Sequence, residues 1–290
     1  MREAWLEVPD VIRELGSRPQ GLTWDEAARR LTQNGPGTDV AKEASDIVLT
    51  DDNFASIVNA VEEGRTVYQN IRKFVTYILA SNIPEIVPYI VYVLFRVPLP
   101  LTVMQILAVD LGTDLLPALA LGMEPSEPGI MDRPPRSRKA RLLDLPLLLR
   151  AYGFLGMLEA AIGMAAYFWF LHRNGWVMGQ ALDVNSLLYR KATSIVFAGI
   201  VVTQVFNVFA VRTDVVSVFR VGLFSNRWVL LGLVWELGLT LLILHVPFLQ
   251  RVFGTAPLSL AEWGFLWAVA PVLLAAEEMR KFLVRRKSGR

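Results

Sequence analysis

The sequence predicts an all-α membrane protein with six transmembrane helices, a long cytoplasmic stalk helix and a small α/β part on the N-terminal side. Three observations carry that prediction. The 290 residues are 53% apolar, with a mean hydropathy of +0.41, high for a soluble domain. The 19% that are charged fall in short blocks between long apolar stretches. Six of those stretches approach or exceed the roughly 20 residues a helix needs to cross a hydrocarbon core about 30 Å thick.

The stretches are residues 74–95, 101–123, 147–171, 192–211, 228–249 and 260–276. The fourth carries no charge, the third contains Arg150 and Glu159, and the last is short with Glu262 near its start. Lys and Arg concentrate on the cytoplasmic side of membrane proteins. Here Arg72, Lys73, the basic block at 133–141, Arg212, Arg220, Arg227 and the basic tail at 280–290 share one side. Arg96, Arg173, Arg190, Lys191 and Arg251 lie on the other. Both termini are therefore expected in the cytoplasm of a multi-pass protein of the cell membrane, as an even number of spans requires. The basic tail reads as a topology signal in contact with lipid headgroups. Trp169, Trp176, Trp228, Trp263 and Trp267 fall at or near span ends, where indole rings favour the interface.

Composition removes several function classes. A net charge of +2 is too small to mark nucleic acid as a partner. The absence of cysteine excludes disulfides, iron–sulfur clusters and thiolate zinc sites. His172 and His245 lie far apart at span ends and make a poor metal pair. Residues 1–37 are polar and lack the apolar core of a signal peptide.

In the polar N-terminal part, residues 22–31 read as a short helix with Thr23 as cap and Glu26 reaching back to it. Asn34-Gly35-Pro36-Gly37 ends it. The apolar triplet Ile47-Val48-Leu49 is long enough for a short buried strand, but it has no partner strand in the sequence. After a turn at 50–53 a helix starts again. Ile57, Val58 and Val61 make one apolar face that continues through Tyr68 and Ile71 into the first span. A stalk continuous with a membrane helix is a rod that transmits force from a cytoplasmic domain to the bilayer.

The chemistry lies inside the membrane. An ionisable group there costs about 2.5–3.5 kcal/mol even on the lenient insertion scale. Glu85 sits midway along the first span, and Asp110 and Asp114 midway along the second. Uncompensated, the three together cost on the order of 8–10 kcal/mol; bound cations or protons are the natural compensation. Tyr77, Ser81 and Glu85 are spaced i, i+4, i+8 with Asn82 beside them, and so share a helix face. Asp110, Thr113 and Asp114 share another. Pro84 and Pro88 cannot donate to the carbonyls of Ala80 and Pro84, nor Pro117 to that of Thr113. Irregular backbone at membrane depth belongs where it lines a cavity. Freed carbonyls, carboxylates and amides make a hard-oxygen site of the kind sodium, potassium or calcium takes. The alternative is that the carboxylates are protonated helix glue and the prolines packing kinks. Gln204 and Asn207 in the fourth span and Glu236 in the fifth are either further ligands or inter-helix hydrogen-bonding groups.

Ser81-Asn82-Ile83-Pro84-Glu85, followed by Val109-Asp110-Leu111-Gly112-Thr113-Asp114-Leu115-Leu116-Pro117-Ala118, resembles the fifth and sixth membrane helices of type-II P-type cation ATPases. Asp110, where calcium pumps usually carry Asn, is similar to the sodium/potassium-pump branch. Gly37-Thr38-Asp39-Val40-Ala41-Lys42-Glu43-Ala44-Ser45-Asp46-Ile47-Val48-Leu49 resembles the end of the family's phosphorylation domain, and residues 53–73 its stalk helix. The later spans resemble its seventh to tenth helices, and Glu278-Met279-Arg280-Lys281 opens a similar basic tail. Residues 1–36, through Gly21-Leu22-Thr23 and Asn34-Gly35-Pro36, resemble the family's extreme N-terminus. The resemblance thus implies an N-terminal cytoplasmic segment at 1–36, an α/β remnant of the phosphorylation domain plus stalk at 37–73, and a six-helix membrane domain at 74–290.

It also implies roles. Asn82, Glu85, Asp110, Thr113 and Asp114 match cation ligands, and Tyr77, Ser81 and Gln204 match further ligand positions of the sodium-pump branch. Glu236 falls near a residue linked to an additional sodium site, while Asn207 stands where that branch has an acid. The intact family uses ATP and magnesium. No Asp-Lys-Thr-Gly-Thr, Thr-Gly-Glu-Ser, Lys-Gly-Ala or Gly-Asp-Gly-Val-Asn-Asp motif occurs in the sequence, and phosphoryl transfer needs such groups. The chain is expected to be the ion-binding membrane domain of such a pump, unable to hydrolyse ATP alone. Its expected partners are the bilayer, the transported cation, and a full-length pump or the missing pump domains. The alternative is a non-enzymatic membrane module, either a passive ion pathway or a regulator of a complete pump.

Overall fold

The computed structural model describes residues 53–287 except 133, 138 and 139, together with positions 23, 25, 26, 28, 29, 32, 45, 48 and 49 upstream. The chain divides into two compact units, Met1–Val67 with Pro128–Pro134, and Tyr68–Glu127 with Pro135–Arg290. In the first unit, the described residues from 25 to 32 are helical, within or just beyond the expected short helix. Thr23 Oγ1 accepts a hydrogen bond from the Glu26 amide at 3.3 Å, which is half of the anticipated cap. The terminator at 34–37, Ile47 and the turn residues 50–52 lie outside the described residues. Val48 and Leu49 form no strand, and the described residues are helical without strands. A lone apolar triplet has no second ladder to share its amides and carbonyls with, so the α/β part is not found among the described residues.

The stalk and first span fall in one helix, α1 (Phe54–Phe95), with Pro84 and Pro88 inside it. The Asn53 side chain caps it by accepting from the Ala55 amide at 3.1 Å. Its 42 residues are about twice the roughly 20 that a membrane crossing needs. Within the first unit, Arg65 donates to the carbonyl of Ile130 at 2.9 Å. Val58 and Val61 of the stalk's apolar face are exposed, whereas Ile57 is half-buried.

The other helices long and apolar enough to cross a membrane are α2 (Val103–Leu121), α3 (Leu145–Arg173), α4 (Leu187–Val211), α5 (Arg227–His245) and α6 (Leu260–Lys287). The molecule is a multi-pass membrane protein. Local chemistry sets the helix starts. Thr102 and Gln105 make a reciprocal capping box at α2. Asp144 accepts from the Leu147 amide at 2.9 Å at α3, and Ser186 and Asn226 cap α4 and α5. Glu262, a charge in a short span by sequence, is half of a capping box with Ser259. The expected span 228–249 breaks earlier, at Val246, which is extended (φ −82°, ψ 119°) before Pro247 opens a separate short helix, Pro247–Phe253. The last span runs on past 276 to Lys287, with a break at Ala270 before Pro271.

Helix α4 is the hub of the second unit. Of its most apolar stretch 89% is buried, against 28% for α1 and α6, and α3, α5 and α6 all pack on it. Close backbone approach takes the place of a hydrophobic drive between helices in lipid. A Cβ on Gly156 of α3 would lie 2.7 Å from the carbonyl oxygen of Ala80 in α1. One on Gly232 of α5 would lie 2.9 Å from the nitrogen of Pro117 in α2. Both contacts fall where a proline has interrupted the hydrogen-bond ladder.

Several of the basic residues are held in ion pairs within the protein. Arg212 is fully buried, donates to both carboxylate oxygens of Glu124 at 2.7 and 3.2 Å, and binds the carbonyls of Gly222 and Leu223. Asn226 donates to the same Glu124 at 2.8 Å. Arg150, a charge inside the third apolar stretch, pairs with Asp214 at 2.6 Å and Glu277 at 2.7 Å. Lys281 of the tail is buried, donating to Thr213 and Glu278. Burial pushes the Asp214 carboxyl up, but the charge and hydrogen bond of Arg150 outweigh it and hold the group below the usual carboxylate range. At the start of α3, the hydrogen bond from Arg72 likewise holds Asp144 low. The tail is anchored to the 213–218 loop, a contact that no loop-charge count reveals.

Candidate intramembrane cation site

Two departures from regular helix frame the site. The segment Ala108–Thr113 of α2 is a π-helix, as is Leu149–Gly156 of α3; such turns concentrate at functional sites. In α2 the Asp114 amide reaches back five residues to the Val109 carbonyl at 2.9 Å. The carbonyl of Gly112 is taken by the indole N–H of Trp235 in α5 at 2.8 Å. The π turn alters the rotation between Asp110 and Asp114. Asp114 is 1% exposed and Thr113 fully buried, whereas Asp110 lies on the exposed side of the helix. The single face expected for all three is therefore split.

On α1, Tyr77, Ser81 and Glu85 are buried at 0%, 1% and 7% exposure, and Asn82 is half-buried. Ser81 donates to the Ile78 carbonyl at 3.1 Å. The Asp114 carboxyl lies close to Ser81, Thr113, Tyr77 and Asp110, and Glu85 lies close to Asp110 and Asp114. The carbonyl of Ala80, freed by Pro84, packs against Gly156.

Across the bundle, Gln204 and Glu236 are fully buried. Glu236 interacts electrostatically with Asp114 and with Glu159. Glu159 of α3 carries no role in the sequence reading, yet it is fully buried and accepts from Gln204 Nε2 at 2.9 Å. Asn207 in turn donates to Gln204 Oε1 at 3.2 Å. The available signal was its charge within an otherwise apolar span. Arg150 is committed to Asp214 and Glu277.

The electrostatic balance is lopsided. No Lys or Arg pairs with Glu85, Asp110, Asp114, Glu159 or Glu236 among the described residues. Buried oxygens without a hydrogen-bond partner cluster here: Tyr77 Oη, Glu85 Oε1, Asp114 Oδ2, Glu159 Oε1, Asn207 Oδ1 and both oxygens of Glu236. Native proteins leave few such atoms, each needing an explanation. Among the described residues no three acidic or imidazole side chains close tightly enough for a resident metal cage. What the arrangement offers is a dispersed set of hard oxygens from α1 to α5, suited to passing a cation.

Comparison with known proteins adds the following. The family described as cation transporting ATPase, C-terminus, matches residues 98–283. Sodium/potassium-transporting ATPase subunit alpha-2 of Gallus gallus is 35% identical over 278 residues, covering 87% of this chain and 27% of that protein. The alpha subunit of Drosophila melanogaster is 35% identical over 279 residues with the same coverage. Subunit alpha-2 of Homo sapiens is 34% identical over 278 residues. The chain spans about a quarter of the length of the curated relatives it matches.

Proposed function

The chain belongs to the cation transporting ATPase C-terminal family, and we propose on that premise that it is the ion-binding membrane domain of a P-type cation pump. Its cargo is a hard cation: sodium, potassium or calcium. Asn82, Glu85, Asp110, Thr113 and Asp114 form the principal ligand set, with Tyr77, Ser81, Gln204 and Glu236 as further ligands. The observation that carries this reading is the group of buried carboxylates on α1, α2 and α5 without a basic partner. Anions that share a low-dielectric interior repel one another, and a cation relieves both that repulsion and the unmet lone pairs.

ATP and magnesium serve the intact family, and the phosphorylating machinery is supplied by pump domains outside this sequence or by a complete pump. In this reading residues 1–36 are the cytoplasmic N-terminal segment, 37–73 the remnant of the phosphorylation domain with its stalk, and 74–290 the membrane domain. Both termini lie in the cytoplasm of a cell-membrane protein.

A second reading, a non-enzymatic module that docks on a complete pump, is favoured by one observation. Asp110 is exposed at mid-span beside the exposed Leu107, Leu111 and Leu115, and a carboxylate on a lipid-facing surface is costly. Equilibrium binding of radiolabelled sodium, rubidium and calcium to the purified chain tests the first reading. Saturable binding lost in Asp114→Asn is the expected result; no saturable binding of any of the three overturns it.

A further inference from the structure

We propose that Glu159 is an additional cation-coordinating carboxylate, which α3 adds to the lobe formed by the Gln204 and Glu236 ligands named above. The inference rests on the ion-binding reading above and assigns it a ligand outside the ligand set described there. Glu159 is fully buried in the middle of the membrane bundle, directly after the π-helix Leu149–Gly156. One of its oxygens accepts from Gln204; the other, Oε1, has no partner.

Helix glue accounts poorly for this arrangement. A carboxyl kept for helix packing has its capacity used, as in the Arg212–Glu124 pair. Here Gln204 relays between Glu159 and Asn207, and the chain ends on another unpartnered oxygen, Asn207 Oδ1. On α5, Glu236 is fully buried with both carboxylate oxygens unpartnered and within electrostatic reach of Glu159. The lobe thus presents oxygens from three helices and no positive charge. Carboxylate and amide oxygens without thiolate or imidazole select a hard cation. The relay through Gln204 fixes the orientation of Glu159 as an outer-shell partner fixes a metal ligand.

The test uses the purified full chain, with radiolabelled sodium and calcium as probes and the ion-to-protein ratio as a second readout. Glu159→Gln is expected to lower affinity for at least one probe by at least about tenfold, or to remove one ion from the bound complement. Asn207→Asp in that background returns a carboxylate across the relay and is expected to restore binding, which a packing role does not predict. Unchanged isotherms in Glu159→Gln, with binding still lost in Asp114→Asn, overturn this inference and leave the wider reading standing. Unchanged isotherms in both variants remove the wider reading as well. If Glu159→Gln does not fold, Asn207→Asp in the wild-type background decides. A shift in probe affinity supports the lobe, and an unaltered isotherm overturns it.

Discussion

The carbonyl oxygen of Ala80 lies against Gly156, so close that a Cβ on the glycine would sit 2.7 Å from it. Pro84, four residues on, has no N–H to donate to that carbonyl. The third helix comes in at this point because it carries no side chain to keep it away. Gly156→Ala is expected to destabilise the bundle by about 1–3 kcal/mol through overpacking. The check is the thermal transition of the detergent-solubilised protein by size-exclusion chromatography. An unshifted transition contradicts the contact.

The Arg212–Glu124 pair is buried on both sides, at 0% and 2% side-chain exposure. Removing one partner strands a buried charge. Glu124→Ala is therefore expected to cost about 3–5 kcal/mol, with little relief from added salt because solvent ions do not reach it. Replacing both residues with apolar ones of similar size is expected to cost much less. Equal losses in the single and double variants would argue against a desolvated pair.

Acid sensitivity follows from Asp144 and Asp214. Both carboxyls are held below the usual range when folded, so each contributes stability above its unfolded value of about 3.9. That contribution is lost as pH falls through the lower folded value. Thermal stability is expected to decline below about pH 4, and the decline is expected to be shallower in Asp214→Asn. The Arg72–Asp144 pair is partly exposed, so its share is about 1 kcal/mol at most. A variant that tracks the wild type across pH 2–5 contradicts the assignment.

Topology is open to a clean test because the chain has no cysteine. Pro135→Cys and Met178→Cys, made as separate variants, place single thiols in the exposed loops before α3 and after it. An impermeant maleimide added to sealed, right-side-out cells is expected to label the Met178→Cys variant alone, and both variants after permeabilisation. Labelling of both before permeabilisation contradicts a cytoplasmic 122–144 loop.

How far the sequence revealed this architecture depends on what each element needs. All six spans were legible because their signal is local: apolar length and polar caps. Glu85, Asp114 and Thr113 were legible as buried groups because charge or polarity in an apolar stretch stands out. The split between Asp110 and Asp114 was not, since a π turn leaves no residue signature and turns on packing against α5. Arg150 and Glu159 were visible as charges but not separable, because the acids that claim Arg150, Asp214 and Glu277, lie 64 and 127 residues away. Val48 and Leu49 show the reverse failure. Their local strand pattern was clear, but a strand exists only with a partner.

Anomalous scattering from rubidium soaked into crystals of the purified chain locates the bound cation itself. A peak in contact with the Asp114 carboxylate, between α1 and α2 and within reach of Glu85, is the predicted result. Peaks confined to the loops and the basic face, with the space beside Asp114 empty at saturating rubidium and unchanged in Asp114→Asn, would contradict it.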